Sequence, residues 1–185
     1  MMHFDAHLFL EINSALSGPF ATALFSVITY LGNGFVLALI VLPSFYFLDR
    51  ERFRKHVFTM VVCAAFSGLI VTVTKIAVNR QRPPEYFEKV EVDIHVPGVV
   101  PVDRSFPSGH TQIAFAIAVY LSCLFRPLAP LFLAIAGLVG LSRIALGVHF
   151  PLDVAVGAVI GSVFSVVGFM WVERKQKTAQ IITGD

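Results

Sequence analysis

The sequence predicts an all-α protein embedded in a membrane: a helical bundle with five transmembrane helices, or six if the N-terminal segment also crosses. Three observations carry that prediction. Of 185 residues, 56% are apolar and only 14% charged, with a mean hydropathy of +0.78; a soluble domain holds about 25% charged and about 45–50% apolar residues. The apolar residues form long stretches almost free of charge. The basic residues gather in short segments between those stretches. The same composition excludes other classes. With 18 Phe, the chain has far more to bury than a disordered one. A net charge of +2 with no basic stripe gives no footprint for nucleic acid. Cys63 and Cys123 both sit inside apolar runs, so neither a disulfide framework nor a zinc ligand set is expected.

A helix rises 1.5 Å per residue and needs about 20 apolar residues to cross about 30 Å of hydrocarbon. Five stretches qualify once snorkelling Lys and Arg or Pro and Gly at their ends are counted: Gly34 to Leu48, Val57 to Thr74, Thr111 to Phe125, Pro127 to Ser142 and Val154 to Val172. Before them, Asp5, Glu11, Asn13 and the Ser17-Gly18-Pro19 break split the N-terminus into two pieces too short to cross. They are expected to lie in the interface as amphipathic helices. The start lacks a basic region and a small-residue cleavage site, so no cleaved signal peptide is expected. This divides the chain into N-terminal interfacial helices (1–31), a transmembrane bundle (32–173) and a polar cytoplasmic tail (174–185) that should fray. On the last span, Gly157, Gly161, Ser165 and Gly168 put small residues on one face and predict close packing inside the bundle. Phe169 and Trp171 read as an interfacial aromatic belt.

Orientation follows from the Lys and Arg bias of short loops. Arg50, Arg52, Arg54, Lys55, Arg126, Arg174, Lys175 and Lys177 fall on one side, eight of the 14 basic residues. That side should be cytoplasmic, and Arg50 to Lys55 should also meet anionic headgroups. The long loop from Asn79 to Phe106 should face outward, its Arg80, Arg82, Lys89 and Arg104 offset by Glu85, Glu88, Glu91, Asp93 and Asp103.

With five spans, the remaining ionisable residues converge on the outer face. Lys75 ends one span and Arg82-Pro83 follows seven positions later; Pro107-Ser108-Gly109-His110 opens the next span. Ser142-Arg143 closes another, and His149 and Asp153 open the last. Ionisable groups at membrane depth are costly and point to function. Lys75, Arg82 and Arg143, without an equal number of carboxylates nearby, would repel one another unless an anion sat between them. Arg forks pair with phosphate oxygens and Lys adds a point charge. The helix start at Ser108-Gly109-His110 offers free N–H groups to the same anion. His149 and Asp153, four apart, share a helix face, so the carboxylate can hold Nδ1–H and leave Nε2 as a nucleophile. His110 is free to protonate a leaving oxygen. Phosphoryl transfer through a phosphohistidine is the natural reading.

Together, Lys75-x6-Arg82-Pro83, Pro107-Ser108-Gly109-His110 and Ser142-Arg143-x5-His149-x3-Asp153 resemble the three-part signature of the type 2 phosphatidic acid phosphatase superfamily, in its membrane lipid phosphatase branch. The resemblance spans roughly Lys75 to Asp153, with every signature position matched in order. It implies an all-helical bundle with the site at the outer membrane surface. It implies His149 as nucleophile, Asp153 as its partner and His110 as general acid. It also implies that Lys75, Arg82, Ser108, Gly109 and Arg143 bind phosphate, with neither a metal nor another cofactor. The expected activity is hydrolysis of a lipid phosphomonoester or pyrophosphate in a bacterial inner membrane, facing the exterior. Polyprenyl pyrophosphate, phosphatidylglycerol phosphate, phosphatidic acid and lipid A 1-phosphate all remain candidate substrates. No protein partner is implied.

Taken singly, each residue has an ordinary reading. His110 or His149 could be a satisfied polar group at a helix end, Lys75 a snorkelling anchor, Ser108-Gly109 a plain helix entry, and Arg143 with Asp153 a structural ion pair. His95, Asp93 and Arg104 could touch a headgroup or simply keep the loop polar. His3 and His7 lack a third partner for a metal. Rival functions are a lipid phosphotransferase using the same groups, a vanadate-dependent haloperoxidase, and a membrane protein that binds phosphate or lipid without turnover.

Overall fold

The computed structural model describes residues 2–183, with the side chains of 4–178, 180 and 181. These residues fold into helices alone: α1 (Met2–Ala15), α2 (Pro19–Ile28), α3 (Gly34–Leu48), α4 (Arg50–Val78), α5 (Pro83–Glu88), α6 (Gly109–Leu124), α7 (Ala129–Ala145) and α8 (Pro151–Thr183), with short 3₁₀ segments at Thr29–Gly32 and Arg126–Leu128. The boundaries have local causes. Pro19 opens α2, where its fixed φ and missing N–H cost nothing. Asn33 caps α3 by accepting from the N–H groups of Phe35 and Val36, and Asp49 caps α4 by accepting from Arg52. Asn79, at φ +50°, ends α4 in the left-handed conformation.

Among the described residues, three segments hold a helix long and apolar enough to cross a membrane: Arg50–Glu88, Arg126–Ala145 and Pro151–Thr178. A fourth is counted if Phe4–Ala15 and Pro19–Gly32, bent by 111°, form one broken span. The sequence reading expects five or six. The difference lies in α3 and α6, apolar but only 15 and 16 residues long. Their caps stop them at about 23–24 Å, short of the roughly 30 Å of hydrocarbon. Outward-facing Phe58, Ile76, Val159 and Val167 are exposed, as suits an integral membrane protein whose surface meets lipid.

α6 is the central helix, packed by α4, α7 and α8. The small-residue face of α8 seats against it as expected. A Cβ on Gly157 would collide with the carbonyl of Ser108, and one on Gly161 with that of Gln112. Between them and Gly168, Ser165 donates its hydroxyl to the Ala116 carbonyl at 2.6 Å. Two expectations are corrected. Phe169 turns inward rather than joining Trp171 in a belt, stacking on the buried ring of His56 at 5.7 Å, because His56 and Tyr120 offer it an aromatic slot. The tail does not fray at Val172: α8 continues to Thr183, since 173–183 holds neither Gly nor Pro and Lys175 packs over the Trp171 ring.

Replacing Gly161 with Val should lower thermal stability in detergent by about 1–3 kcal/mol or more, since backbone blocks the added carbon. Gly137→Ala, where nothing lies within 4 Å of the added Cβ, should leave the unfolding temperature unchanged or slightly raised.

Candidate active site

Helices that alternate in direction bring the end of α4, the start of α6, the end of α7 and the start of α8 to one end of the bundle. The three motif groups therefore meet there. Asp153, in the first turn of α8, has no exposed surface. Its Oδ2 accepts from the Phe150 N–H at 2.9 Å and from the Ser105 hydroxyl. Its Oδ1 accepts from Arg80 Nη1 at 2.6 Å. The backbone N–H of Ser108 donates to the Asp153 carbonyl at 2.9 Å, pinning the start of α6 to the start of α8.

His149 is buried in the link between α7 and α8. Its Nδ1 lies 3.5 Å from Asp153 Oδ2, beyond an ordinary hydrogen bond but within electrostatic reach. Its Nε2 lies 3.2 Å from Arg82 Nη1. A guanidinium can only donate, so that contact assigns the lone pair to Nε2 and the ring proton to Nδ1, facing the carboxylate. Burial pushes the imidazole below its ordinary range, Asp153 opposes this, and Arg82 and Arg143 reinforce it. The ring is thus neutral at physiological pH.

Arg82 is buried and fully engaged. Nη1 also donates to the Val148 carbonyl at 2.7 Å, Nε to the Asp103 carbonyl at 2.8 Å and Nη2 to Asp103 Oδ1 at 2.5 Å. Lys75 Nζ donates to Asp103 Oδ2 at 2.7 Å and to the Arg104 carbonyl. This corrects the expectation of a cation cluster short of carboxylates: Asp103 sits between Lys75 and Arg82. The loop can place it there because its own backbone also binds Arg82. Burial alone would raise the Asp103 carboxyl, but the hydrogen bonds and charges of Lys75 and Arg82 outweigh it and hold it down at about 2.

Arg143, at the end of α7, is buried and donates Nη1 to the Thr29 hydroxyl at 2.5 Å, while its buried Nε has no partner among the described residues. The reading of Arg143 and Asp153 as an ion pair fails, because Arg80 takes that place. His110 enters at the second position of α6, near enough to feel Arg143, Arg82, Lys75 and Asp103. The Ser108 hydroxyl is turned into the α6 cap, accepting from Thr111 Oγ1 at 2.9 Å, while the Gly109 and His110 N–H groups of the first turn have no partner among the described residues. A cavity of about 780 Å³ joins Lys75, Asp103 and His110 to apolar Val71, Ile76 and Ile113 on the flank between α4 and α6.

Sequence reasoning missed Arg80, Asp5, Ser105, Asp103 and Thr29. Arg80 and Asp103 read as members of a balanced loop charge, and Asp5 as a helix breaker. The usable signal was the pair Arg80 and Arg82 flanking one residue in a non-helical segment, which sends the two guanidinia to different partners. His95 is also corrected: its backbone exchanges two hydrogen bonds with Asn13, and its Nε2 meets Thr22 Oγ1 at 2.8 Å, so it fastens the 79–106 loop to α1 and α2. His7 pairs with Glu11 at 3.4 Å, and the His3 side chain lies outside the described residues. Among the described residues no three His, Cys, Asp or Glu side chains cluster as metal ligands.

Because Asp103 is held below its ordinary value of 3.8, its tether is complete above that pH and is lost as pH falls through about 2. Asp103→Asn should mimic the loss at neutral pH, raising amide hydrogen exchange across 99–105 while the helices keep their protection.

The PAP2 superfamily model matches residues 56–177. The chain is 32% identical over 112 residues to lipid A 1-phosphatase of Rhizobium etli, covering 60% of this chain and 47% of that one. It superposes on Aquifex aeolicus LpxE with a TM-score of 0.76 at 32% identity, covering 89% of this chain and 93% of the other. On the first transmembrane PAP2-type phosphatidylglycerolphosphate phosphatase from Bacillus subtilis the TM-score is 0.69 at 26% identity, with 93% and 86% covered. The matched stretches take in 36%, 47% and 42% of three curated relatives' lengths, less than two thirds of each.

Proposed function

This chain belongs to the PAP2 superfamily, and we propose from the geometry at its polar end that it is an integral membrane phosphatase acting on a lipid phosphomonoester or diphosphate. One observation carries the reading: His149 is held between Asp153 and Arg82 with its Nε2 lone pair aimed at the cation cluster. In the proposed reaction Nε2 attacks phosphorus, and the bond to the lipid oxygen breaks as that oxygen takes a proton from His110. Water then attacks the phosphohistidine, His110 accepts its proton, and inorganic phosphate leaves. Lys75, Arg82, Arg143 and the first-turn N–H groups at Gly109 and His110 hold the phosphoryl oxygens, where charge stabilisation contributes most. Ser108 supports them by shaping the start of α6.

The cavity suits a lipid because its polar end is lined by Lys75, Asp103 and His110 and its apolar flank opens between α4 and α6, so the tail stays in the bilayer. In this reading α3 and α6 cross as well, bringing the spans to five, with 32–173 as the bundle. Residues 1–31 lie at the membrane surface and 174–185 form a cytoplasmic tail. Arg50 to Lys55, Arg126 and Arg174 to Lys177 fall at the end opposite the site, which supports an outward-facing site in a bacterial inner membrane.

Detergent-purified protein should release inorganic phosphate from at least one of polyprenyl pyrophosphate, phosphatidylglycerol phosphate, phosphatidic acid and lipid A 1-phosphate, with EDTA present. His149→Ala should cut that rate by about 10³-fold or more. Phosphate or lipid binding with no release from any of the four would overturn hydrolysis. Asp103 occupies two of the cations that the phosphoryl group must reach, so Asp103→Asn should lower the inhibition constant of inorganic phosphate several-fold. An increase would show that Asp103 organises the cations rather than competing for them.

A further inference from the structure

Arg80 lies outside the three motif groups, yet it makes the only guanidinium contact to Asp153 among the described residues. Its Nη1 donates to Asp153 Oδ1 at 2.6 Å and its Nη2 to Asp5 Oδ2 in α1. Its guanidinium lies over the Phe150 ring, 4.2 Å from the centroid. Asp5 is itself buried and accepts from the Leu152 N–H at 2.9 Å, one residue before Asp153. We propose that Arg80 and Asp5 are positioning residues for the phosphoryl-transfer step, forming with Asp153 and His149 a chain of alternating charge that sets the orientation and basicity of the nucleophile. The proposal rests on the phosphatase reading above.

The physical need is specific. A carboxylate without exposed surface must be paired or it protonates or turns away. Ser105 and the Phe150 N–H occupy Oδ2, the oxygen nearest His149, and leave Oδ1 to Arg80. Arg suits that place because it stays charged and its planar fork reaches two carboxylates at once. One Arg on one Asp would, however, cancel the negative charge that His149 needs as its ring becomes cationic. Asp5 restores it, so the trio carries one net negative charge beside the imidazole. The other ionisable groups acting on the His149–Asp153 pair are Arg82, Arg143 and Lys75, all cationic; Arg82 meets the ring at Nε2, away from the carboxylate, and Asp103 is itself bound to Arg82 and Lys75.

The two positioning residues carry opposite charge, so their variants should push the dyad in opposite directions, which a general loss of packing would not do. Arg80→Met removes a cation, and the acid limb of kcat/KM should move up by about one pH unit. Asp5→Asn removes an anion and should move it down. Both should lower kcat, by about 10–100-fold for Arg80→Met, with KM within about threefold. Arg80→Lys, which keeps the charge and loses the fork, should hold the limb near wild type while recovering part of kcat. Titration of ¹⁵N-labelled His149 by NMR reports the same opposite shifts without requiring turnover. If wild type proves inactive on every lipid but the two shifts appear, the phosphatase reading falls and the charge chain stands. Shifts of one sign, unmoved titrations, or a rise in KM alone would overturn the proposal. If Arg80→Met does not fold, Arg80→Lys and Asp5→Asn decide it, with a downward limb and NMR shift in Asp5→Asn supporting the chain and an unmoved or upward one rejecting it.

Discussion

Asp153 is a carboxylate with no exposed surface at the first turn of a helix that runs through the bundle. Such a group is tolerated only where hydrogen bonds and an opposite charge replace water, and the whole polar end is arranged to supply them. Ser105 comes from the 79–106 loop, Arg80 from the segment after α4 and the Phe150 N–H from the link before α8, while the neutral His149 ring stands 3.5 Å away. The backbone of Asp153 also takes the Ser108 N–H, so one residue fixes how the starts of α6 and α8 stand to each other. Gly157 and Gly161 extend that constraint down the bundle by allowing α8 to lie on the carbonyls of α6.

Charge compensation explains why the 79–106 loop matters despite having little regular structure. Helix ends supply Lys75 and Arg143, while the loop supplies Asp103 and Ser105. Asp103 thus joins a cation from the end of α4, Lys75, to one from its own loop, Arg82. Asp103 is half exposed where Asp153 is buried, so it is the carboxylate that another anion can replace. The N-terminal helix is tied in by the same logic: Asp5 reaches Arg80, and Asn13 donates to carbonyls of His95, Ile144 and Ala145. Phe9, wholly buried, stacks on Phe87 and meets Phe150 at a tilt, and the guanidinium of Arg80 lies over Phe150.

Helix content and the clustering of the motif groups were legible in the sequence because both are local. Apolar runs, capping residues and Pro or Gly breaks act over a few positions, and the motif spacings place each group at a helix end. The small-residue face of α8 was legible for the same reason. Helix length was less legible than helix content: Asn33 and Asp49 bound α3 at 15 residues and Ser108 opens an α6 of 16, and hydropathy alone does not weigh a cap. Phe169 was misplaced because its partner, His56, is more than a hundred positions away.

By itself the sequence determined an all-helical membrane chain, the direction of its charge bias and the residue types gathered at one end. Only the tertiary structure decided which charge meets which. Ion pairing depends on distance in space, and a loop carrying Arg80, Arg82, Asp103 and Arg104 permits many neutral pairings that composition cannot rank. Folding selected Lys75 and Arg82 for Asp103, and Arg80 for both Asp153 and Asp5, because burial leaves each carboxylate with only the donors that the packed helices bring to it.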